Sequence, residues 1–430
     1  MTKKMRRTWP QRLTISFVTL SALGCLGAAG ALAAGQWVVS NRQIVEIAAP
    51  GDADPREINN PVVIEPGATT TTTLPGETTT STTEVPLAEP DAANFLITGA
   101  DNGDCVDADD PTVGNRGSSA RSDTIMVWRI NPKTNQLAVL SFPRDLYVAI
   151  PGNGRQRINQ AYRRDKPQLL IDTIDQNFGV PIDHYIQVDF CAFRRLVEAV
   201  GGIEVPFEFP ARDSASLLNV PEAGCQLLDA DMALSYVRSR KYQYEDPAGS
   251  GNWRTDGTSD FGRIARQQDF IRRVIAKVID EGLYKPEVVS GLLNVNSEYI
   301  VIDDELTLEK TLEFANTLRL MNPAEITTYR IESVGKNVGG AAVQEPRIGG
   351  DNMKAILAVF RGEATLAAIP DQVFETGTTV AVDTTTDTQP DDGTTTTTSP
   401  AVSDEPVQTQ PTVVATENTL GVSPDPAATC

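Results

Sequence analysis

Residues 170–205 read LIDTIDQNFG VPIDHYIQVD FCAFRRLVEA VGGIEV, and two periodicities alternate within them. Leu170, Ile171, Ile174 and Phe178 recur at helical spacing and stop at Gly179, the residue type that closes helices most readily. Residues 184–188 then read as a strand. Phe193, Leu196, Val197 and Val200 repeat the helical pattern up to Gly201 and Gly202, and 203–205 form another β-branched run. Helix and strand alternating in one stretch predict an α/β sheet covered by helices. Outward from this stretch, 93–98, 124–130, 137–141 and 326–331 read as further strands. Ile264, Ile271, Val274, Ile275, Val278 and Ile279 predict a long helix, and 306–320 and 351–361 two more, with Asp351 in the N-cap position.

The ends of the chain read differently. Lys3, Lys4, Arg6, Arg7 and Arg12 precede an uncharged stretch from Leu13 to Asn41. That predicts a cytoplasmic basic terminus at 1–12 and a transmembrane signal-anchor helix at 13–39, with the rest of the chain extracytoplasmic. A cleaved signal peptide is the rival reading, since Ala31-Leu32-Ala33 resembles a cleavage site, but the apolar run is longer than such peptides need. Residues 40–91 and 371–430 are rich in Thr, Pro and Asp and bury too little apolar surface to fold, so a disordered linker and tail are expected around a domain at 92–370. Outside the membrane, Cys105, Cys191, Cys225 and Cys430 are free to pair, and one intradomain disulfide is expected, its connectivity open.

Composition excludes several functions. A net charge of −20 argues against a nucleic-acid partner, which would call for a basic surface. The single histidine, His184, and the lack of C-x-x-C spacing argue against zinc. His184 falls within a strand run beside apolar residues, which disfavours a Ser-His-Asp triad. One imbalance points toward chemistry: from Arg121 to Arg273 there are 17 arginines and three lysines. Codon usage is one source of such a bias; the other is anion recognition, because a guanidinium binds phosphate with two parallel donors where an ammonium acts as a point charge.

Position favours the second source. Leu96-Ile97-Thr98-Gly99-Ala100-Asp101 is a strand running into a glycine turn with a carboxylate at its carboxyl end, the edge where open α/β sheets bind ligands. Arg121-Ser122-Asp123-Thr124 sits at the entry of the next strand. In Phe142-Pro143-Arg144-Asp145 the proline breaks the ladder and frees the arginine to face a cleft. Arg157-Ile158-Asn159 adds a further arginine. In Tyr236-Val237-Arg238-Ser239-Arg240 the two arginines would diverge on a helix, so if both serve one ligand the helix must end there. Arg263 and Arg266, after Asp260-Phe261-Gly262, fall in a helix first turn, where cations oppose the dipole unless an anion is present.

This ordered set, ending in Arg263…Arg266-Gln267-Gln268, resembles the LytR-CpsA-Psr family of bacterial cell-wall assembly proteins over residues 92–285. The resemblance implies a central mixed β-sheet covered by helices on both faces. It also implies a phosphotransferase that moves a phosphorylated glycan from a polyprenyl pyrophosphate carrier to peptidoglycan, on the C6 hydroxyl of N-acetylmuramic acid. Carried over, Asp101 and Asp123 would hold Mg²⁺ (or Mn²⁺), while Arg121, Arg144, Arg238 and Arg240 would be catalytic. These four, with Arg157, Asp260, Arg263, Arg266 and Gln267, would form the pyrophosphate site, Asn159 supporting it. Leu196, Val197 and Val200, or Ile264 and Ile271, would line the lipid channel. Asn102-Gly103 after Asp101, and a long excursion at 241–259, depart from the family pattern. A hydrolase that releases the glycan to water, and a non-catalytic phosphoglycan-binding module, are the two rival functions.

Overall fold

The computed structural model describes residues 43–48, 87–100, 122–164, 166–281, 300–374, 422–424, 428 and 430. The expected anchor at 13–39, Asp101, Arg121 and Cys105 lie outside them. Among the described residues no helix is long and apolar enough to cross a membrane.

The core is a seven-stranded mixed sheet. Its strands are β1 (Gln43–Val45), β2 (Ala93–Ala100), β3 (Ser122–Asn131), β4 (Gln136–Ser141), β5 (His184–Asp189), β6 (Ile300–Asp303) and β7 (Thr327–Arg330), in the order β1-β6-β5-β2-β3-β4-β7. β2, β3 and β4 form an antiparallel meander, whereas β2 with β5 and β4 with β7 run parallel.

Strand alternation sends neighbouring side chains to opposite faces. Leu96, Val127 and Leu140 pack under α1 (Gln168–Phe178) and α6 (Asp351–Phe360), while Phe95, Met126 and Val139 pack against α4 (Asp260–Glu281) and α5 (Leu308–Leu320). The sheet is thus covered on both faces. A second core forms where α2 (Phe190–Ala199) and α3 (Ala230–Arg238) meet α4. Gly179 caps α1 with φ 66°, as its place after Phe178 predicts.

Several local expectations need correction. Residues 203–205 belong to a strand, Ile203–Phe207, that stands outside the central sheet and pairs antiparallel with Gly224–Leu228, the segment between them forming a hairpin of Ala211–Asp213 and Leu218–Val220. Gly350, not Asp351, occupies the N-cap of α6, and Asp351 is its first helical residue. β1 lies inside the expected linker, its Ile44 and Val45 adding a short parallel edge to β6. The tail also touches the domain: Cys225 is bonded to Cys430, and Gln372 pairs with both backbone groups of Arg330. Cys191 is disulfide-bonded too. His184 is buried beside Phe95, its Nδ1 3.1 Å from Asp303 Oδ1, a core position with no access to substrate.

Candidate functional site

The parallel strands β2, β4 and β5 end at one edge of the sheet, and antiparallel β3 begins there. Asp123, the second residue of β3, is therefore delivered to the edge where the chain after β4 turns outward at Phe142-Pro143-Arg144. Arg144 Nη1 lies 2.5 Å from Asp123 Oδ1, and Arg240 Nη2 lies 2.6 Å from Oδ2. Arg263 Nη1 stands 3.6 Å from the same Oδ2, while its Nη2 donates to the Asp123 carbonyl at 2.6 Å. One carboxylate is thus clasped by three guanidiniums.

Helix ends position these arginines. α3 stops at Arg238, and Ser239 is extended at φ −62°, ψ 127°, so the helix does end between the two arginines. Arg240 turns toward Asp123, whereas the Arg238 guanidinium stacks 4.5 Å from the centroid of Phe190. Arg263 is only 2% exposed and meets Asp260, one turn earlier on α4, at 2.9 Å. Asp260 is the acid that a basic first turn requires, and it offsets the dipole penalty from within the chain.

Burial raises the Asp123 pKa, but Arg263, Arg240 and Arg144 lower it by more, leaving it at about 2 against an ordinary 3.8. A folded pKa below the unfolded value contributes stability that is complete above 3.8 and is lost as pH falls through about 2. The shift corresponds to roughly 2 kcal/mol. Denaturant unfolding of the wild type is expected to weaken more steeply across that window than unfolding of Asp123→Asn. Parallel pH profiles would show that the clasp contributes no such term. The same shift makes Asp123 a poor general base near neutral pH.

Behind this cluster opens a cavity of about 400 Å³ between the sheet and α4, closed at its sides by α2 and α3. Part of its lining is polar: Asp123, Arg238, Arg240, Lys241, Arg263 and Gln267. The rest is largely apolar, with Met126, Trp128, Phe193, Leu196, Ile271 and Ile275 among its walls. Of the channel residues expected from sequence, Leu196 and Ile271 line this space. Val197 and Val200 are in the second core, on the other side of α2, and Ile264 is buried off the cavity wall.

The remaining motif residues play varied parts. Gln267 Nε2 donates to Thr124 Oγ1 and to the Val237 carbonyl, both at 3.0 Å, while its buried Oε1 has no hydrogen-bond partner. Gln268 ties Ser141 Oγ to the Tyr329 carbonyl. Arg266 is fully buried and braces Asp256, Ser239 and Val422 away from the cavity wall. Arg157 stands outside the cavity, 3.4 Å from Asp145 and donating to the Ala342 carbonyl. Asp145 in turn lies 3.5 Å from Arg144. Asn159 is buried behind that loop, its N–H donating to the Arg144 carbonyl. Sequence reasoning did not single out Lys241, Phe190 or Asp213; these stand outside the motif blocks, with nothing local to mark them.

Among the described residues no three His, Cys, Asp or Glu side chains gather as a metal cage. Mg²⁺ commonly takes one or two carboxylates and completes its shell with phosphate oxygens and water. Asp123 suits such a partial site, since it stays ionised, provided phosphate oxygens draw Arg144 and Arg240 off its carboxylate.

The LytR_cpsA_psr family model matches residues 64–356. The chain is 34% identical over 197 residues to a polyisoprenyl-teichoic acid–peptidoglycan teichoic acid transferase of Enterococcus faecalis, covering 46% of this chain and 57% of that protein. It is 32% identical over 199 residues to a probable cell wall biosynthesis protein of Corynebacterium glutamicum, covering 46% and 44%. A transferase of the first kind from Oceanobacillus iheyensis is 30% identical over 264 residues, 59% and 70% of the two chains. The chain therefore spans about half the length of the first two of these relatives. In fold it is similar to a LytR-Csp2A-Psr enzyme from Actinomyces oris, with a TM-score of 0.50 at 22% identity over 64% of this chain and 92% of that one. The motif order on the sheet edge and a family match across most of the chain agree, and the chain belongs to the LytR-CpsA-Psr family.

Proposed function

We propose that the protein transfers a phosphorylated glycan from a polyprenyl pyrophosphate carrier to peptidoglycan, on the N-acetylmuramic acid C6 hydroxyl. The observation that carries this reading is a cavity of about 400 Å³ whose lining joins a group of arginines to apolar walls. An amphiphile with a pyrophosphate head and a hydrocarbon tail matches both parts. The names of the Enterococcus and Oceanobacillus relatives support the same substrates.

In this reading the pyrophosphate oxygens replace the Asp123 carboxylate as partners of Arg144 and Arg240, and Arg238, Arg263 and Lys241 face them from the cavity lining. Arg121, from its place beside Asp123 in sequence, would join them. The acceptor hydroxyl oxygen bonds to the glycan-bearing phosphorus, the bond from that phosphorus to the bridging oxygen breaks, and polyprenyl phosphate leaves with the electron pair. The hydroxyl proton passes to solvent. Transfer of this kind depends chiefly on positioning and on neutralising oxygen charge, which fixed guanidiniums supply. Asp123 and Asp101 would hold Mg²⁺, whose contribution when bound is to withdraw further charge from the phosphate oxygens.

We further infer that residues 13–39 anchor the chain in the cell membrane, with 1–12 cytoplasmic and the domain outside. The Cys225–Cys430 bridge supports an oxidising, extracytoplasmic setting. Full-length protein in detergent with Mg²⁺, a polyprenyl pyrophosphate-linked glycan and peptidoglycan oligomers is expected to yield a phosphodiester-linked adduct. Release of free glycan phosphate without an adduct would assign the site to hydrolysis instead.

A further inference from the structure

Asp213 is 1% exposed and borders the cavity, yet it belongs to none of the arginine-bearing motifs. Its Oδ2 accepts three hydrogen bonds from consecutive residues: Ser239 Oγ at 2.7 Å, the Arg240 N–H at 3.0 Å and the Lys241 N–H at 2.8 Å. Its Oδ1 accepts from the Ala215 N–H at 2.8 Å. The three Oδ2 donors lie where the chain leaves α3: the Ser239 hydroxyl and the N–H groups of Arg240 and Lys241, which past the helix end have no helical bond to make and need another acceptor. Ser239 itself is fully buried, and its carbonyl accepts from Arg266 Nη2 at 2.8 Å. The bend between Arg238 and Arg240 is therefore held from both sides, by a carboxylate and by a guanidinium.

This arrangement answers a geometric problem. Two arginines at i and i+2 lie about 200° apart on a helix but share one face of an extended chain, so a shared ligand requires one defined break between them. A single anionic oxygen that accepts from the serine hydroxyl and the next two N–H groups fixes that break. The hydrogen bonds from Ser239, Lys241, Ala215 and Arg240 together outweigh burial and keep the Asp213 pKa below its ordinary value, so the acceptor stays charged.

We propose that Asp213 is a positioning residue for the anion clamp, setting the Arg238-Ser239-Arg240 bend so that both guanidiniums face the cavity. The proposal rests on the lipid-pyrophosphate reading of that cavity. Asp213 acts through Arg240 and Arg238 and makes no contact of its own with the reacting atoms, because its oxygens are already committed to the chain.

The test is a mutant cycle on the full-length protein, with transfer kinetics and the affinity for farnesyl pyrophosphate plus Mg²⁺ measured in parallel. Asp213→Ala is expected to lower kcat/KM for the lipid donor by roughly 10- to 10²-fold and to weaken farnesyl pyrophosphate binding, since the displaced guanidiniums serve the bound pyrophosphate as well as the transition state. In the Asp213→Ala background, adding Arg240→Ala is expected to cost far less than it does alone, the non-additivity of residues acting as a unit. Asp213→Asn keeps one acceptor oxygen and is expected to recover part of kcat/KM; it also serves if the alanine variant folds poorly. Fully additive losses, or a kcat/KM that falls only in proportion to folded protein, overturn the proposal. If the wild type transfers glycan and Asp213→Ala matches it, the positioning role alone fails. If the wild type binds farnesyl pyrophosphate without transferring glycan, the transfer reading fails, and the cycle in binding affinity decides the role of Asp213. A wild type that neither binds nor transfers overturns both.

Discussion

Replacing Arg240 with alanine is expected to lower the rate of glycan-phosphate transfer by at least about 10²-fold, the loss that follows removal of one preorganised donor to a developing oxyanion. Arg240 is suited to so large an effect because its guanidinium is aimed before substrate arrives. Its Nη2 sits 2.6 Å from Asp123 Oδ2, its backbone N–H is held by Asp213, and it lines the cavity beside Arg263. Burial lowers its pKa and the neighbouring Arg263 lowers it further, which Asp123 partly offsets; an incoming pyrophosphate would relieve this crowding of positive charge. Arg238→Ala is expected to act on the same scale, through loss of the guanidinium stacked on Phe190. Single-turnover rates with saturating lipid donor, on variants with wild-type melting behaviour, check both. Wild-type rates in either variant would remove that arginine from the chemistry.

Arg266→Ala should act on stability, by about 3–5 kcal/mol, the usual result of removing one member of a buried ion pair. Arg266 is 0% exposed, and its Nη1 meets Asp256 Oδ2 at 3.1 Å and the Val422 carbonyl at 3.0 Å. Its Nη2 serves Ser239, and its plane lies 4.4 Å from the centroid of Tyr242. Truncation leaves the buried Asp256 with Thr258 and the Val422 N–H alone, and strands two carbonyls. Gly262 belongs to the same device: a Cβ there would come within 2.5 Å of both Asp256 Oδ2 and Thr258 Oγ1, so the glycine of Asp260-Phe261-Gly262-Arg263 lets the acidic loop close on the helix. Thermal unfolding should shift downward by roughly 10 °C for a domain of this size. Arg266→Lys should restore little of it, since an ammonium cannot span acceptors spread across a guanidinium plane. An unchanged melting temperature in Arg266→Ala would show that the brace is dispensable.

These two arginines sit three residues apart from, or across a bend from, others of the same motif set, yet their work differs. Sequence placed Arg263 and Arg266 together in the first turn of α4. The fold turns Arg263 toward the Asp123 clasp and Arg266 toward Asp256, because the two lie about 60° apart around the helix and each long side chain meets a different neighbour. Leu196 and Val197 divide in the same way. Both belong to the apolar pattern of α2, but one faces the cavity and the next, about 100° around the helix, is in the second core.

What the sequence by itself determined is local. The alternation in 170–205, the glycine closing α1 and the proline break before Arg144 all follow from side-chain period and backbone restriction, which act within a few residues. The tertiary structure decided what lies across each gap: that Ile203–Phe207 leaves the sheet, that β1 and Val422 join the domain, that Asp213 holds the bend and that Asp123 receives three arginines from three separate segments. Such pairings depend on strand order and helix docking over separations from 17 residues (Phe207 to Gly224) to 258 (Gln43 to Val301), and no local pattern encodes them.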